Sequence, residues 1–389
     1  MGAEESVQLK NSMRKIIRPN YYHKFQCTAG DCEFTCCQQW KIAVDDAAGK
    51  RWDMADKGLS RHVEKTRDGG EILLKEDGFC PFLEEDHLCS LVKTYGEEFL
   101  SHTCHTFPRE QHEYANRTEY AFSSGCPQAL RLLWEQERFE VNRKESPKEA
   151  REEFPREQEP LFLMRDFFLE LVQEESRTVP QALKLMFFLM LDLFEKGEEG
   201  PADEALVRSY MDRELLAQVE AAISEVEIAE EDSFYECNEL LLDLAENYRK
   251  KGMYREDLEP IAKRAECYEE QIPTADRREQ FEEIWSGYEW RLRLLMAEEI
   301  YASCLLPEGG SYSMTMKLQW LAMEYAVIRQ WNFLHWDMRG EITDASFTRS
   351  VAVLFRMMGY SEADIEEYLD NSFASIIWEW GYFALIVGI

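Results

Sequence analysis

The sequence has few basic residues for its acidic content and no apolar run long enough to cross a membrane. Its 389 residues include 44 lysines and arginines against 76 aspartates and glutamates, so the formal net charge is −32. Binding to phosphates needs a basic face, so this balance argues against a nucleic-acid partner and favours a basic protein or peptide. The most apolar stretch, residues 373–389, is interrupted by Glu379 and falls short of the about 20 apolar residues of a membrane span. We therefore expect neither nucleic acid nor a membrane among the partners.

Three recognisable motifs are also missing. No G-x-G-x-x-G follows a strand-like segment, so the sequence does not predict a doubly wound nucleotide-binding fold. The C-x3-C-x2-C arrangement of radical S-adenosylmethionine enzymes is absent, since Cys32 and Cys36 are followed directly by Cys37. No apolar segment of the signal-peptide type occurs near the N-terminus, and we expect a cytoplasmic protein.

Cysteine is abundant at one end of the chain. Eight of the 11 cysteines lie before residue 127, among charged and turn-forming residues. They are Cys27, Cys32, Cys36, Cys37, Cys80, Cys89, Cys104 and Cys126. A reducing cytoplasm disfavours disulfides, and so many thiols in polar surroundings do not suit a purely apolar core role. All eight are therefore candidate metal ligands, and their spacing leaves zinc and an iron–sulfur cluster open.

The organisation of the chain follows the same division. We predict a loop-rich cysteine-cluster domain at 1–135, a linker or exposed loop at 136–160, and an all-helical domain at 161–389. The linker is charged and proline-rich, whereas apolar residues recur at three- and four-residue spacing from Leu161 onward. Strand signals are almost absent. The predicted fold is therefore mainly α, with the cysteine-cluster domain packed on a helical bundle.

Four segments carry a resemblance to a known family. They are FQCTAGDCEFTCCQQWKI (25–42), GFCPFLEEDHLCSL (78–91), YGEEFLSHTCHTFPR (95–109) and SSGCPQALRLL (123–133). In order, spacing and flanking residues they resemble the flagellin lysine-N-methylase (FliB) family, whose N-terminal part is related to the YkgJ-type cysteine-cluster domain. The resemblance covers about 100 residues and includes no motif in the helical region.

The resemblance implies an enzyme that transfers methyl groups from S-adenosylmethionine to lysines of flagellin. It also implies a [4Fe-4S] cluster held by N-terminal cysteines, without indicating which four are ligands. Arg109, in the TFPR string, is a candidate for hydrogen bonding the carboxylate of a bound methionine moiety, and a structural pair with an acid is the alternative. His102 and His105 flank Cys104. They are candidate metal ligands, and the alternative is that their side chains are exposed.

A second reading comes from a different class of protein. The same thiols would suit a non-catalytic zinc- or iron-binding module or a redox sensor. No carboxylate in the helical region stands out as a proton acceptor, because a solvated acidic helix surface accounts for any single one of them. The catalytic residues therefore stay unknown at this level.

Overall fold

A computed structural model of the chain describes residues 13–66, 69–149, 158–197, 204–268, 272–359 and 361–388. Strands occur only in the first half of this part of the chain. They are β1 (Met13–Pro19), β2 (Ala43–Val44), β3 (Val63–Thr66), β4 (Gly69–Ile72), β5 (Arg109–Glu113), β6 (Arg117–Phe122) and β7 (Val141–Glu149). One sheet has the order β5-β6-β1-β7 and the other the order β2-β4-β3.

Short helices connect these strands, and the first four of them, with the smaller sheet, enclose a small core of their own. They are α1 (Asp46–Ala55), α2 (Lys57–Ser60), α3 (Ser90–Tyr95), α4 (His102–Thr106) and α5 (Pro127–Trp134). The Asp45 side chain caps α1 by accepting from the Ala48 N–H at 3.0 Å, as N-cap aspartates do. Trp52 of α1 is fully buried and meets Phe82 edge-on, with ring centroids 5.4 Å apart. Cys80 is part of this small core, which is separate from the main hydrophobic core of the protein.

The rest of the described chain is helical. Its helices are α6 (Glu159–Val172), α7 (Val179–Gly197), α8 (Glu204–Tyr210), α9 (Arg213–Ser224), α10 (Glu230–Lys251), α11 (Arg255–Glu266), α12 (Ala275–Trp285), α13 (Glu289–Glu299), α14 (Gly310–Arg339), α15 (Asp344–Met358), α16 (Glu362–Phe373) and α17 (Trp380–Val387). A π-helical turn, Ile300–Cys304, continues α13. No helix among the described residues is both long enough and apolar enough to pass through a membrane.

The central helix of this body is α14. Its 30 residues are buried on nearly all sides, and it contacts α7, α10, α15 and α17. Gly340 ends it with φ of +82°, a left-handed conformation that favours glycine. Thr343 then begins α15 through a capping box with Ser346. The helical body is thus built around one buried helix.

The mainly α fold is confirmed, with one feature that the sequence did not predict. The four-stranded sheet pairs β1 with β6 in parallel and with β7 in antiparallel register. Strand β7 lies within 136–160, which was predicted as a linker or exposed loop; residues 150–157 of that segment lie outside the described residues. The boundaries at 135 and 160 stay predictions.

A buried ion pair joins this sheet to the helical body. Arg165 of α6 donates to both carboxylate oxygens of Glu119 of β6, at 2.8 and 2.9 Å. Both side chains are almost fully buried. Because both side chains are shielded from solvent, removing Glu119 leaves the Arg165 charge without a hydrogen-bonded carboxylate.

We predict that Glu119→Ala lowers the free energy of unfolding by about 3–5 kcal/mol, because it leaves the Arg165 charge buried and unpaired. Urea titration of the purified protein measures the change. Glu170→Ala is the control, since Glu170 pairs with Arg138 at the surface and such pairs contribute at most about 1 kcal/mol. Equal losses in the two variants would contradict the assignment.

Candidate functional site

Four cysteine side chains gather from distant parts of the N-terminal region. The Cys80 thiol lies within electrostatic range of the thiols of Cys36, Cys89 and Cys104, and the Cys104 thiol within range of Cys36 and Cys89. We call these four residues the four-thiol group. Cys37 stands beside it and hydrogen-bonds the Cys36 side chain.

Backbone contacts position the four-thiol group. The Cys80 N–H donates to the Cys37 carbonyl at 2.8 Å, and an isolated bridge pairs Leu83 with Cys89. Cys89 precedes the first turn of α3, and Cys104 lies in α4, whose N-cap Ser101 accepts from the Cys104 N–H at 3.3 Å. The first contact joins the Cys37 segment to Cys80, and the others fix Cys89 and Cys104 within their own segments.

Burial keeps the thiols of Cys80 and Cys104 protonated in the absence of a cation. It raises the pKa of Cys80 to about 12 and that of Cys104 to about 11, with smaller contributions from the neighbouring thiols. The hydrogen bond with Cys37, together with burial, raises the pKa of Cys36. A bound metal reverses this preference, because thiolates are the form that ligates.

Two further cysteines, Cys32 and Cys126, share the surroundings of the buried Arg356 guanidinium with Cys36. Cys32 and Cys126 lie within electrostatic range of each other and of this arginine. Burial raises the pKa of Cys126 to about 11, against the opposing effect of Arg356. Cys27 is exposed, and its sulfur accepts from the Ala29 N–H at 3.4 Å. All eleven cysteines are free thiols.

The arrangement of ligand-type side chains bears on the kind of metal group. Among the described residues, no three His, Cys, Asp or Glu side chains converge on a point where a single metal ion could bind. A single zinc ion needs sulfurs about 2.3 Å from one centre. An iron–sulfur cluster instead takes one thiolate at each of several irons, which spreads its ligands more widely. The choice between zinc and an iron–sulfur cluster stays a prediction.

A group of buried glutamates lies where α13 becomes the π-helical turn. Glu298 accepts hydrogen bonds from the Tyr21 hydroxyl and from the Phe122 N–H, and Glu299 accepts from the hydroxyls of Ser124 and Ser303. Both carboxyls are nearly inaccessible to solvent. They thereby anchor the end of β6 and the loop that leads to Cys126.

Burial makes these acids difficult to ionise. It raises the pKa of Glu298 to about 8, and it raises the pKa of Glu110 to about 8 with a further contribution from Glu299. The pKa values of Glu299 and Glu324 are also raised by burial. Perturbed carboxyls beside a π-helical turn are frequent at functional sites. The one sequence signal was a pair of glutamates, AEEIYA, inside an otherwise apolar helix end.

Other residues singled out from the sequence occupy more exposed positions. Arg109, at the start of β5, is exposed, and its guanidinium lies 4.8 Å from the centroid of the Phe25 ring. His102 and His105 are exposed on α4. The part proposed for Arg109 in binding a methionine carboxylate stays a prediction.

The fold places this protein in the class of mainly helical proteins that carry a small, thiol-rich region with two sheets. Residues 165–386 match the family model of the FliB lysine N-methylase C-terminal domain. Because this match covers more than half of the chain, the protein belongs to the FliB lysine N-methylase family. The matched residues begin after the eight N-terminal cysteines, so the likeness to the YkgJ-type domain stays a prediction.

Curated relatives agree with the family. The chain is 29% identical over 205 residues to the lysine-N-methylases of Salmonella typhimurium and Salmonella choleraesuis, which is 49% of this chain and 50% of each relative. It is 32% identical over 142 residues to the flagellar biosynthetic protein FliU of Salmonella muenchen, which is 34% of this chain and 84% of that protein. The chain thus spans about half the length of the lysine-N-methylases that it matches. No solved structure matches it significantly.

We predict that Glu298→Gln changes how stability depends on pH. The folded pKa of Glu298, about 8, lies above the ordinary value of 4.5. The stability contributed by the neutral carboxyl is therefore fully present below pH 4.5 and is lost as the pH rises toward about 8. Glutamine is neutral at every pH. Between about pH 5 and pH 8 the wild type should therefore lose stability that the Glu298→Gln variant keeps. The free energy of unfolding of the variant should rise relative to that of the wild type by on the order of a few kcal/mol over this range.

Urea titrations at several pH values measure this difference. The control is Glu246→Gln, because Glu246 is exposed and its pKa is lowered by Lys250, so this variant should show no such gain. If the stabilities of the wild type and of Glu298→Gln changed with pH in parallel, the pKa of Glu298 would not be raised in the folded protein.

Proposed function

We propose that this protein is an S-adenosylmethionine-dependent lysine N-methyltransferase that acts on flagellin and carries a cysteine-bound [4Fe-4S] cluster. The observation that carries the proposal is the family match over residues 165–386. The printed names of the relatives, lysine-N-methylase and flagellar biosynthetic protein, supply the reaction and the flagellar context. The protein would act in the cytoplasm.

The four-thiol group supports the cluster. Its members, Cys36, Cys80, Cys89 and Cys104, are neighbours without converging on a single-ion position. We propose them as the cluster ligands, with Cys37 beside them and with Cys32 and Cys126 outside the ligand set. A bound cluster supplies iron–sulfur chemistry whose potential the surrounding protein tunes.

The acidic surface supports a lysine-bearing substrate. The formal net charge of −32 attracts cationic segments of a partner protein and raises their encounter rate. The acceptor amine must lose a proton before it attacks a methyl group, since free lysine has a pKa near 10.4. A site that takes up the amine must therefore remove it from water or offer it a base. S-adenosylmethionine supplies the methyl group.

Incubation of the anaerobically purified full chain with methyl-labelled S-adenosylmethionine and its cognate flagellin tests the reaction. We expect label on flagellin lysines, identified by peptide mass spectrometry. Flagellin with its lysines acetylated is the matched control and should take up no label. Absence of label while iron and sulfide remain bound would overturn the proposal and favour a non-catalytic cluster protein.

We predict that Cys89→Ser and Cys104→Ser each lower the iron bound per chain at least about twofold, because one thiolate of the cluster is lost. Iron and sulfide analysis after anaerobic reconstitution measures this loss, together with the visible absorption of the protein. Cys267→Ser is the control, since Cys267 is exposed in the helical region far along the chain. Stoichiometric zinc in a colourless wild-type protein would contradict the cluster assignment.

A further inference from the structure

A cavity of about 450 Å³ lies where a cysteine-bearing loop meets the helical body. Its wall includes Glu33 and Phe34 of the loop between Cys32 and Cys36, together with residues of α5, α13 and α15. Small-molecule sites typically have volumes of about 300–1,000 Å³. Two further cavities, of about 230 and 10 Å³, are smaller than that range. The 450 Å³ cavity therefore has the size of a site for a cofactor-sized ligand.

The wall of this cavity carries charges of both signs. Three guanidinium groups and three carboxylates line it, although acids outnumber bases widely in the chain as a whole. They are Arg131, Arg291 and Arg349 with Glu33, Glu135 and Asp344. Neighbouring groups of opposite sign suit a ligand that carries both a carboxylate and an ammonium group, rather than a simple anion or cation.

One of these groups has an unused hydrogen-bond donor. The Arg291 side chain is 8% exposed, and one of its terminal nitrogens donates to Asp344 at 2.7 Å. Its Nε is buried and has no hydrogen-bond partner. A buried donor without an acceptor destabilises a fold. Since Arg291 also lines the cavity, its guanidinium is the group that would meet a ligand carboxylate there.

Aromatic side chains provide a surface for a flat ring. Trp134 of α5 lines the cavity, and its indole N–H donates to the Thr348 hydroxyl at 3.1 Å, which fixes the ring. Phe34 is already in contact with two guanidiniums, those of Arg349 and Arg356, each 3.7 Å from its centroid. Trp134 is therefore the aromatic residue better placed to stack on a planar base.

We propose that this cavity is the binding site for S-adenosylmethionine, an inference that rests on the proposed methyltransferase function. The mixed charges would recognise the amino-acid end, with Arg291 as a carboxylate donor, and Trp134 would stack on the adenine. The wall also includes Phe34, two residues before Cys36, and Pro127, which follows Cys126. A ligand bound there lies beside both groups of N-terminal thiols.

Calorimetric titration of S-adenosylmethionine into the anaerobically purified full chain tests the site. Ala345 is an exposed residue of α15 on the cavity wall, so Ala345→Trp should fill the cavity without disturbing the core. We expect binding at least about tenfold weaker, since a bulky ring displaces the ligand. Ala217→Trp, at an exposed position of α9 outside the wall, is the matched control and should bind like the wild type.

A second pair of variants tests the charges. Arg131→Gln removes a guanidinium from the cavity wall. Arg138→Gln is the control, because the Arg138 side chain does not line the cavity but is about as exposed as that of Arg131, 45% against 46%. We expect about tenfold weaker binding for Arg131→Gln alone, the typical loss of a hydrogen bond to a charged group. Circular dichroism of each variant checks that it is folded.

The outcomes separate the two proposals. If the wild type binds S-adenosylmethionine and the Ala345→Trp and Arg131→Gln variants bind it equally well, the cavity assignment is wrong and the methyltransferase proposal stands. If the wild type, with its cluster intact, neither binds S-adenosylmethionine nor labels flagellin, both proposals are wrong. Selective loss of binding in the two wall variants supports the site.

Discussion

The buried guanidinium of Arg356 holds the cysteine-bearing loops against the helical body. From α15 it donates to the carbonyl oxygens of Phe34, Thr35 and Gly125, at 2.8 Å in each case. These carbonyls lie outside the helices and strands, and without a donor they would be buried and unsatisfied. A planar guanidinium with five N–H groups serves three acceptors at once, which a lysine ammonium cannot do in the same fixed geometry. Gly125 leaves room for this contact, since a Cβ there would lie 3.0 Å from the Cγ of Arg356, closer than an ordinary van der Waals contact.

This contact places the candidate site at a junction of the fold. Cys36 and Cys126 follow the carbonyls that Arg356 binds, and Phe34 forms part of the cavity wall. Glu298 and Glu299 attach the end of β6 and the following loop to the same helical body from another side. The thiols, the cavity and the buried acids are therefore connected through these loops. A ligand or cluster bound at this junction would act on both parts of the molecule.

The strong negative charge has two different locations. Most acids are solvated on helix surfaces, where they suit an encounter with a lysine-bearing partner. A few are inside, either paired, as Glu119 is with Arg165, or kept neutral by burial, as Glu298 is near pH 7. A formal charge counted from composition cannot distinguish these cases, because burial is a property of the packed chain.

The helices were predictable because their signal is local. The apolar spacing after Leu161 corresponds to α6 and α7, and similar spacing corresponds to the buried α14. The sheet was not predictable in the same way. Strand β1 pairs with β6 about a hundred residues away, and the charged β7 lies at the edge of the sheet, where polar residues are tolerated. Neither strand shows the alternation that marks a strand in isolation.

By itself the sequence determined the helical character of the chain, the family resemblance and the set of eight candidate thiols, because periodicity and spacing are properties of neighbouring residues. Tertiary structure alone decided which thiols meet, which glutamates lose contact with water and where a cavity remains beside Arg291. Those features arise from contacts between residues as far apart as Phe34 and Arg356. Folding creates such contacts between segments whose separate sequences carry no sign of one another.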